Sequence, residues 1–157
     1  MVMQWKLKPW KILILCSKNT MIIDNKLNEY KKNIENLQAI ESLEVYKWLI
    51  SLGKKLNDDP LSSEKRTDQN RVNRCQFDLF VDWEDGKFKA WSNAMIAAGY
   101  AYVLVDIFNS SPLDEAKKIT TDHFKKIEME KLLTMNRTTG FYEMIEKMIK
   151  KVRDVRN

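Results

Sequence analysis

Cys75 is the residue whose type and setting point most directly to chemistry. It closes the run Asn70-Arg71-Val72-Asn73-Arg74, which is polar and basic rather than apolar and periodic. A cysteine used only for packing usually lies inside an apolar stripe, whereas a neighbouring cation favours the thiolate, the form that attacks. Two readings follow, a working thiol and a half-buried cysteine. A thiol hydrolase would add a general base, and the candidate is His123, the sole histidine. It stands between Thr121-Asp122 and Phe124 at a helix start, where capping or a half-buried aromatic role competes with catalysis. Cys16, at the end of the apolar run Ile12 to Leu15, has a different context and no expected role. Two cysteines are too few for a disulfide scaffold, and without metal-type spacing no zinc site is expected. A reducing cytoplasm fits this usage.

The elements that must position Cys75 begin with a hairpin. Gln76 to Trp83 mixes polar residues with strand-favouring aromatic and branched ones, Glu84-Asp85-Gly86 supplies a turn, and Lys87 to Trp91 returns. Two paired strands with one apolar face are predicted, with the thiol where loop becomes strand. Upstream, Ile23, Leu27, Tyr30, Ile34 and Leu37 recur at intervals of three and four, with Asp24 or Asn25 as a cap. Leu43, Tyr46, Leu49, Ile50, Gly53 and Leu56 make a second stripe that ends at Asn57-Asp58-Asp59-Pro60. The two predict an antiparallel helical pair. Downstream, Ala94 to Phe108 is apolar on nearly all sides. Its length favours a buried helix over a strand of ~5 to 6 residues, with Ser92 or Asn93 as cap. Ser111-Pro112 opens a short helix to about Ile119, and Thr121-Asp122 caps a further turn or two. The closing helix carries Phe141, Met144, Ile145, Met148, Ile149 and Val152, with Lys147, Lys150, Lys151, Arg153 and Arg156 crowding its end. Cations there suit the helix dipole. A methionine stripe at this spacing reads as core before it reads as a partner groove.

Composition sets the class. The 157 residues are 44% hydrophobic and 31% charged with four Gly and three Pro, enough for one ordered domain with a sizeable core. No apolar run approaches the ~20 residues of a membrane span. The net charge of +5 is uneven: residues 1 to 20 carry four Lys and no acid, and 125 to 157 carry nine bases against five acids. The remainder holds 14 bases against 17 acids, a net of −3, so the excess lies at the ends rather than in an aromatic-lined groove, and no nucleic-acid partner is expected. Residues 1 to 20 read as an extension outside the core, with a targeting segment as the competing reading, and 21 to 157 as a single domain.

Three pieces now stand in order: NRVNRCQFDLFVDW, WSNAMIAAGYA and MNRTTGFYEMIEKMIKK. Together, over roughly Asn25 to Lys151, they resemble the SufE family of sulfur acceptors for cysteine desulfurases. The likeness implies an α/β (α+β) fold of the SufE and IscU type, a small antiparallel sheet packed against several helices with the cysteine on an exposed loop. It puts the sulfur-carrying cysteine at Cys75, the following glutamine at Gln76, the strand aromatic at Phe80, and Ser92, Asn93, Ala94, Ile96 and Gly99 at a helix start. It puts the arginine at Arg137 with Gly140. The implied partners are a pyridoxal-phosphate-dependent cysteine desulfurase of the SufS type and an iron–sulfur scaffold of the SufB type, with no cofactor on this chain and no membrane. Gln76 and Arg137 would position groups or stabilise charge; loop capping and a helix-start ion pair are their competing readings. Three positions depart from the family pattern: Arg74 replaces a glycine, Phe77 a serine and Asn93 an aspartate. An interaction module of the same fold with impaired sulfur transfer is the alternative.

Overall fold

The computed structural model describes the backbone of residues 9 to 156 and the side chains of 22 to 156. Among the described residues six helices surround one two-stranded antiparallel sheet, an α+β arrangement. Helix α1 spans Pro9–Gln38 without a break at Asp24, so neither Asp24 nor Asn25 caps it. Its stripe Ile23, Leu27, Tyr30 and Ile34 is buried as the periodicity requires. The expected separation of residues 1 to 20 from the core depends on side chains outside the described residues. Tyr30 fastens α1 to the centre: its hydroxyl donates to Asp106 Oδ2 at 2.6 Å and its ring lies 6.3 Å from that of Trp48.

Helix α2 (Ser42–Leu56) buries Val45, Leu49, Leu52 and Leu56. The buried face is rotated from the stripe read in the sequence, because Leu43 is 58% exposed and Tyr46 only half-buried. Helix α3 (Met95–Asn109) is the predicted central helix, and α2 packs on it most extensively. That approach requires Gly99, since a Cβ there would stand 2.2 Å from the Leu49 carbonyl oxygen. The N-cap of α3 is Ala94, whose N–H donates to Ser92 Oγ at 3.1 Å, while Asn93 is used elsewhere.

Strands β1 (Leu79–Glu84) and β2 (Lys87–Ser92) pair with Leu79 opposite Ser92 and Glu84 opposite Lys87. Asp85 and Gly86 both adopt positive φ, 56° and 80°, the two-residue turn that matches strand twist. Leu79, Val81, Phe88 and Ala90 face the core. On the other face Phe80 stacks on Trp91 and the Arg66 guanidinium lies 4.3 Å from the Trp91 ring, which ties the incoming 61–71 segment to the sheet. Gln76 to Asp78 lie outside β1, contrary to the sequence expectation, for a reason given by their hydrogen bonds below.

Helix α4 (Leu113–Ala116) is one turn long with Pro112 as N-cap, so Ser111 does not cap it. Helix α5 (Thr121–Lys125) is capped by Thr120 rather than Thr121. Helix α6 (Met135–Asp154) starts a turn and a half before Gly140, with Thr134 Oγ1 accepting from the Arg137 N–H. Its apolar stripe is buried from Phe141 to Val152, and its flank reaches the segment that carries Cys75.

Candidate functional site

The Cys75 loop is held at its base. Val72 N–H donates to the Leu79 carbonyl at 2.8 Å and Arg71 forms an isolated bridge with Phe80, on the edge of β1 away from β2. There the pairing stops: Cys75 N–H turns back to the Val72 carbonyl at 3.3 Å, and Asp78 N–H goes to Asn93 Oδ1 at 3.1 Å. The Asp78 carbonyl still accepts the Asn93 N–H at 3.3 Å, but with the Asp78 N–H given to a side chain in place of the Asn93 carbonyl the β1–β2 ladder ends at Leu79. Arg71 closes the base by an ion pair to Asp78 Oδ1 at 2.6 Å. Asn93 also aims its amide nitrogen at the Asp78 carboxylate, 3.5 Å away, where an aspartate would oppose two like charges. That departure from the family pattern fits its neighbour.

Inside the loop, the Tyr100 hydroxyl of α3 donates to Cys75 Sγ at 3.6 Å. Burial, and after it the neighbouring Cys75 sulfur, push the Tyr100 hydroxyl far above the ordinary tyrosine range, with Arg137 opposing. The hydroxyl therefore stays a donor at any physiological pH. The Tyr100 ring meets Phe141 of α6 edge-on at 5.8 Å, so α3 and α6 fix it from both sides. Gly140 makes the arrangement possible, because a Cβ there would lie 2.9 Å from the Tyr100 hydroxyl oxygen and 3.6 Å from both Cα and Cβ of Cys75. One turn further, the Glu143 carboxylate accepts the Asn73 N–H at 2.9 Å and the Arg74 N–H at 2.6 Å. Arg74 is not among the residues with positive φ, so the arginine stands at this position without backbone strain.

The three site residues expected from sequence come together. Cys75, Gln76 and Arg137 line one groove of about 730 Å³ with Asn93, Ile96 and Tyr100. Its rim is apolar and open: Phe77 is 48% exposed and Met95 62%. Met135, at the start of α6, lines the neighbouring cavity with Arg74 and Glu143 and is 85% exposed. Among the described residues Arg137 forms no helix-start ion pair; its guanidinium lies 5.9 Å from the Tyr46 ring. Gln76 is exposed on the groove and caps no described residue. His123 lines neither this groove nor the cavity on the other side of Arg74, and its Nδ1 accepts the Thr120 N–H at 3.0 Å. Capping is its observed role. Among the described residues no group of three or more His, Cys, Asp or Glu side chains is gathered to hold a metal ion, and no helix is long and apolar enough to cross a membrane.

Sequence reasoning missed Tyr100 and Glu143. Tyr100 left a trace, since a tyrosine within an apolar helix needs a partner for its hydroxyl. Glu143 left a weaker one, three residues after Gly140 and so on the same helix face.

The chain also has likenesses among known proteins. The family model for SufE, described as an Fe-S metabolism associated domain, matches residues 31–152. An uncharacterized SufE-like protein of Synechocystis is 29% identical over 107 residues, covering 66% of each chain. SufE-like protein 1, chloroplastic/mitochondrial, of Arabidopsis thaliana is 28% identical over 131 residues, covering 80% of this chain and 34% of that protein. The chain thus spans 66% and 34% of the lengths of these two relatives. Among solved structures, a hypothetical protein from Thermus thermophilus shares the fold with a TM-score of 0.56 at 18% identity, over 79% of this chain and 93% of that one.

Proposed function

We propose, from the premise that this chain belongs to the SufE family of Fe-S metabolism proteins, that it accepts sulfur on Cys75 from a cysteine desulfurase and hands it on for iron–sulfur cluster assembly. The observation that carries the reading is a thiol on an exposed loop, under a hydroxyl donor, at the floor of a groove with an open apolar rim. The Cys75 thiolate attacks the outer sulfur of the desulfurase persulfide. A new sulfur–sulfur bond forms at Cys75 as the donor's bond breaks, and the donor's inner sulfur leaves as a thiolate. The proton on the transferred sulfur travels with it, and no net oxidation occurs.

Each neighbouring group has a part in this reading. Tyr100 donates to the sulfur before attack, and a hydrogen bond to an ionised acceptor is about twice as strong as one between neutral groups. Arg137 supplies positive charge to the groove in which the anionic sulfur moves, and Gln76 offers an amide at its mouth. Phe77, Met95 and Met135 offer apolar surface to the desulfurase, whose pyridoxal phosphate stays on that partner. A scaffold of the SufB type would take the sulfur onward, and a reducing compartment such as the cytoplasm suits a thiol that must stay free.

The test is desulfurase turnover with wild type, Cys75→Ser and no added protein, with mass analysis of Cys75 for the gain of one sulfur atom. Stimulation and sulfur gain are expected from wild type alone, since oxygen cannot carry the sulfane sulfur. Stimulation by Cys75→Ser equal to wild type would overturn the reading in favour of an interaction module. A hydrolase would require His123, and His123→Ala is expected to leave sulfur transfer unchanged.

A further inference from the structure

Nothing within the Cys75 loop explains why it stays folded back. Between the Val72–Leu79 pairing and the Asp78–Asn93 pairing lie five residues, of which Asn73, Arg74, Gln76 and Phe77 are exposed. Within that stretch one backbone bond is internal, Cys75 N–H to the Val72 carbonyl. From outside, two groups reach in among the described residues: the Tyr100 hydroxyl onto the sulfur and the Glu143 carboxylate onto two successive amides. Both Glu143 oxygens are used, Oε1 for Asn73 and Oε2 for Arg74, so one side chain fixes the direction of the backbone immediately before the thiol. Gly140 and Glu143 face the loop from adjacent turns of α6, the first leaving room for Cys75 and the second holding it there.

We propose that Glu143 is a positioning residue whose carboxylate clasps the Asn73 and Arg74 amides and sets how readily Cys75 swings out of its groove to meet a sulfur donor. This rests on the sulfur-acceptor reading for its purpose but not for its physics. Attack on a partner's persulfide requires the sulfur to leave the cover of Tyr100 and Gly140, and the clasp opposes that movement. Glu143 lies on the solvent side, lining with Arg74 a second cavity of about 540 Å³, so water can replace either amide when the loop opens. An opening that exchanges two amide bonds for water is reversible and fast, as a carrier that must visit two partners requires. The binding-competent loop is then a minor state, and weakening the clasp lowers the concentration of donor needed without altering the chemical step.

The experiment compares wild type, Glu143→Gln, Glu143→Ala and Glu146→Gln, the last an exposed glutamate on the same helix and cavity. Cys75 alkylation by iodoacetamide is followed in the isolated protein, with amide hydrogen exchange and thermal midpoint alongside. Glu143→Ala should raise the alkylation rate about tenfold, the loss of two charge-assisted bonds partly offset by water. Glu143→Gln should raise it less, because its oxygen still accepts one amide. Exchange should quicken most at residues 73 to 77, the midpoint should fall by no more than the few degrees that a tenfold shift implies for a chain of this size, and Glu146→Gln should match wild type. With a desulfurase, the half-saturating concentration should fall for Glu143→Ala while the saturated rate stays near wild type. An unchanged alkylation rate in Glu143→Ala overturns the clasp, and so does exchange that quickens more in the core than at residues 73 to 77. A wild-type protein that gains no sulfur while Glu143→Ala still alkylates faster would instead overturn the proposed function and leave the clasp standing.

Discussion

Helix α6 grips the segment leading to Cys75 at two places, and the grips differ in kind. At Lys151 the ammonium donates to Asn70 Oδ1 at 2.7 Å and to Asp82 Oδ1 at 3.1 Å. Asn70, only 7% exposed, donates in turn to Asp82 Oδ2 at 3.2 Å and the Lys65 carbonyl at 2.8 Å. At Glu143, two turns and about 12 Å earlier along the helix, the bonds go to exposed backbone amides. Loss of a partner in the first network strands polar groups that water reaches poorly, whereas loss in the second is offset in part by solvent. The chain therefore leaves Asn70 as a fixed root, and Cys75, five residues on, as a tip that can move. Stability is concentrated at one end of the segment and freedom at the other, as expected of a site that must open locally without unfolding globally.

The comparison breaks first at the root. Asp82→Ala removes the shared acceptor of Lys151, Asn70 and Lys65. Because Lys151 and Asp82 side chains keep 20% and 24% exposure, the cost is set below that of a fully buried pair, at about 2–3 kcal/mol. Urea denaturation should show it as a lowered midpoint with unchanged slope. If Asp82→Ala costs no more stability than Glu143→Ala, the distinction between root and tip fails.

Gly140→Ala comes next and acts on the tip from below. Alanine gains up to about 1 kcal/mol over glycine in a helix interior, but its Cβ would stand 2.9 Å from the Tyr100 hydroxyl oxygen. Tyr100 is fully buried and cannot swing aside, so overpacking of about 1–3 kcal/mol opposes the gain. A net loss of around 1 kcal/mol with faster Cys75 alkylation is expected. Enhanced stability with unchanged alkylation would mean that the close approach is incidental.

Tyr100→Phe should cost less than about 1 kcal/mol, since the ring keeps its contact with Phe141 and a hydroxyl whose partner is sulfur is removed. Sulfur uptake should slow while loop exchange stays near wild type, which separates the thiol's donor from the backbone's clasp. An unchanged uptake rate would assign Tyr100 to packing alone.

How far this was legible in the sequence follows from what each residue depends on. The buried stripes of α1, α3 and α6 and the Asp85-Gly86 turn could be read because burial and turn chemistry follow local spacing. The face of α2 was misjudged because Leu43 and Val45 are both apolar, and the choice between them was settled by α3 packing where Gly99 lets it come close. Cys75 stood out by its polar flanks, and the family likeness supplied Gln76 and Arg137, which do reach the same groove. Glu143 pairs with backbone amides about seventy residues away, and amides leave no mark in a sequence. The caps at Ala94, Pro112 and Thr120 were missed for a related reason: each neighbouring Ser, Thr or Asn that could have capped spent its side chain elsewhere or stood one place off. Asn93, for example, is committed to Asp78.

The smallest effect is expected from restoring the family-like residues, Arg74→Gly with Phe77→Ser. Both side chains are exposed, and among the described residues neither has an ion pair or a polar bond of its own to lose. Stability should fall by less than about 1 kcal/mol, chiefly because glycine adds chain entropy to the unfolded and opened states. The Arg74 N–H remains available to Glu143 when glycine takes its place, so the clasp persists and alkylation should rise about twofold, well short of Glu143→Ala. The Arg74 side chain lines the cavity shared with Glu143 rather than the groove that holds the thiol, so losing its guanidinium should alter the groove little. Loop freedom should decide the outcome, because attack requires the sulfur to travel toward its partner. Transfer at or above the wild-type rate would place control in the backbone amides that Glu143 holds. A clear fall would place it in the Arg74 charge and make the arginine part of the site rather than a tolerated substitution.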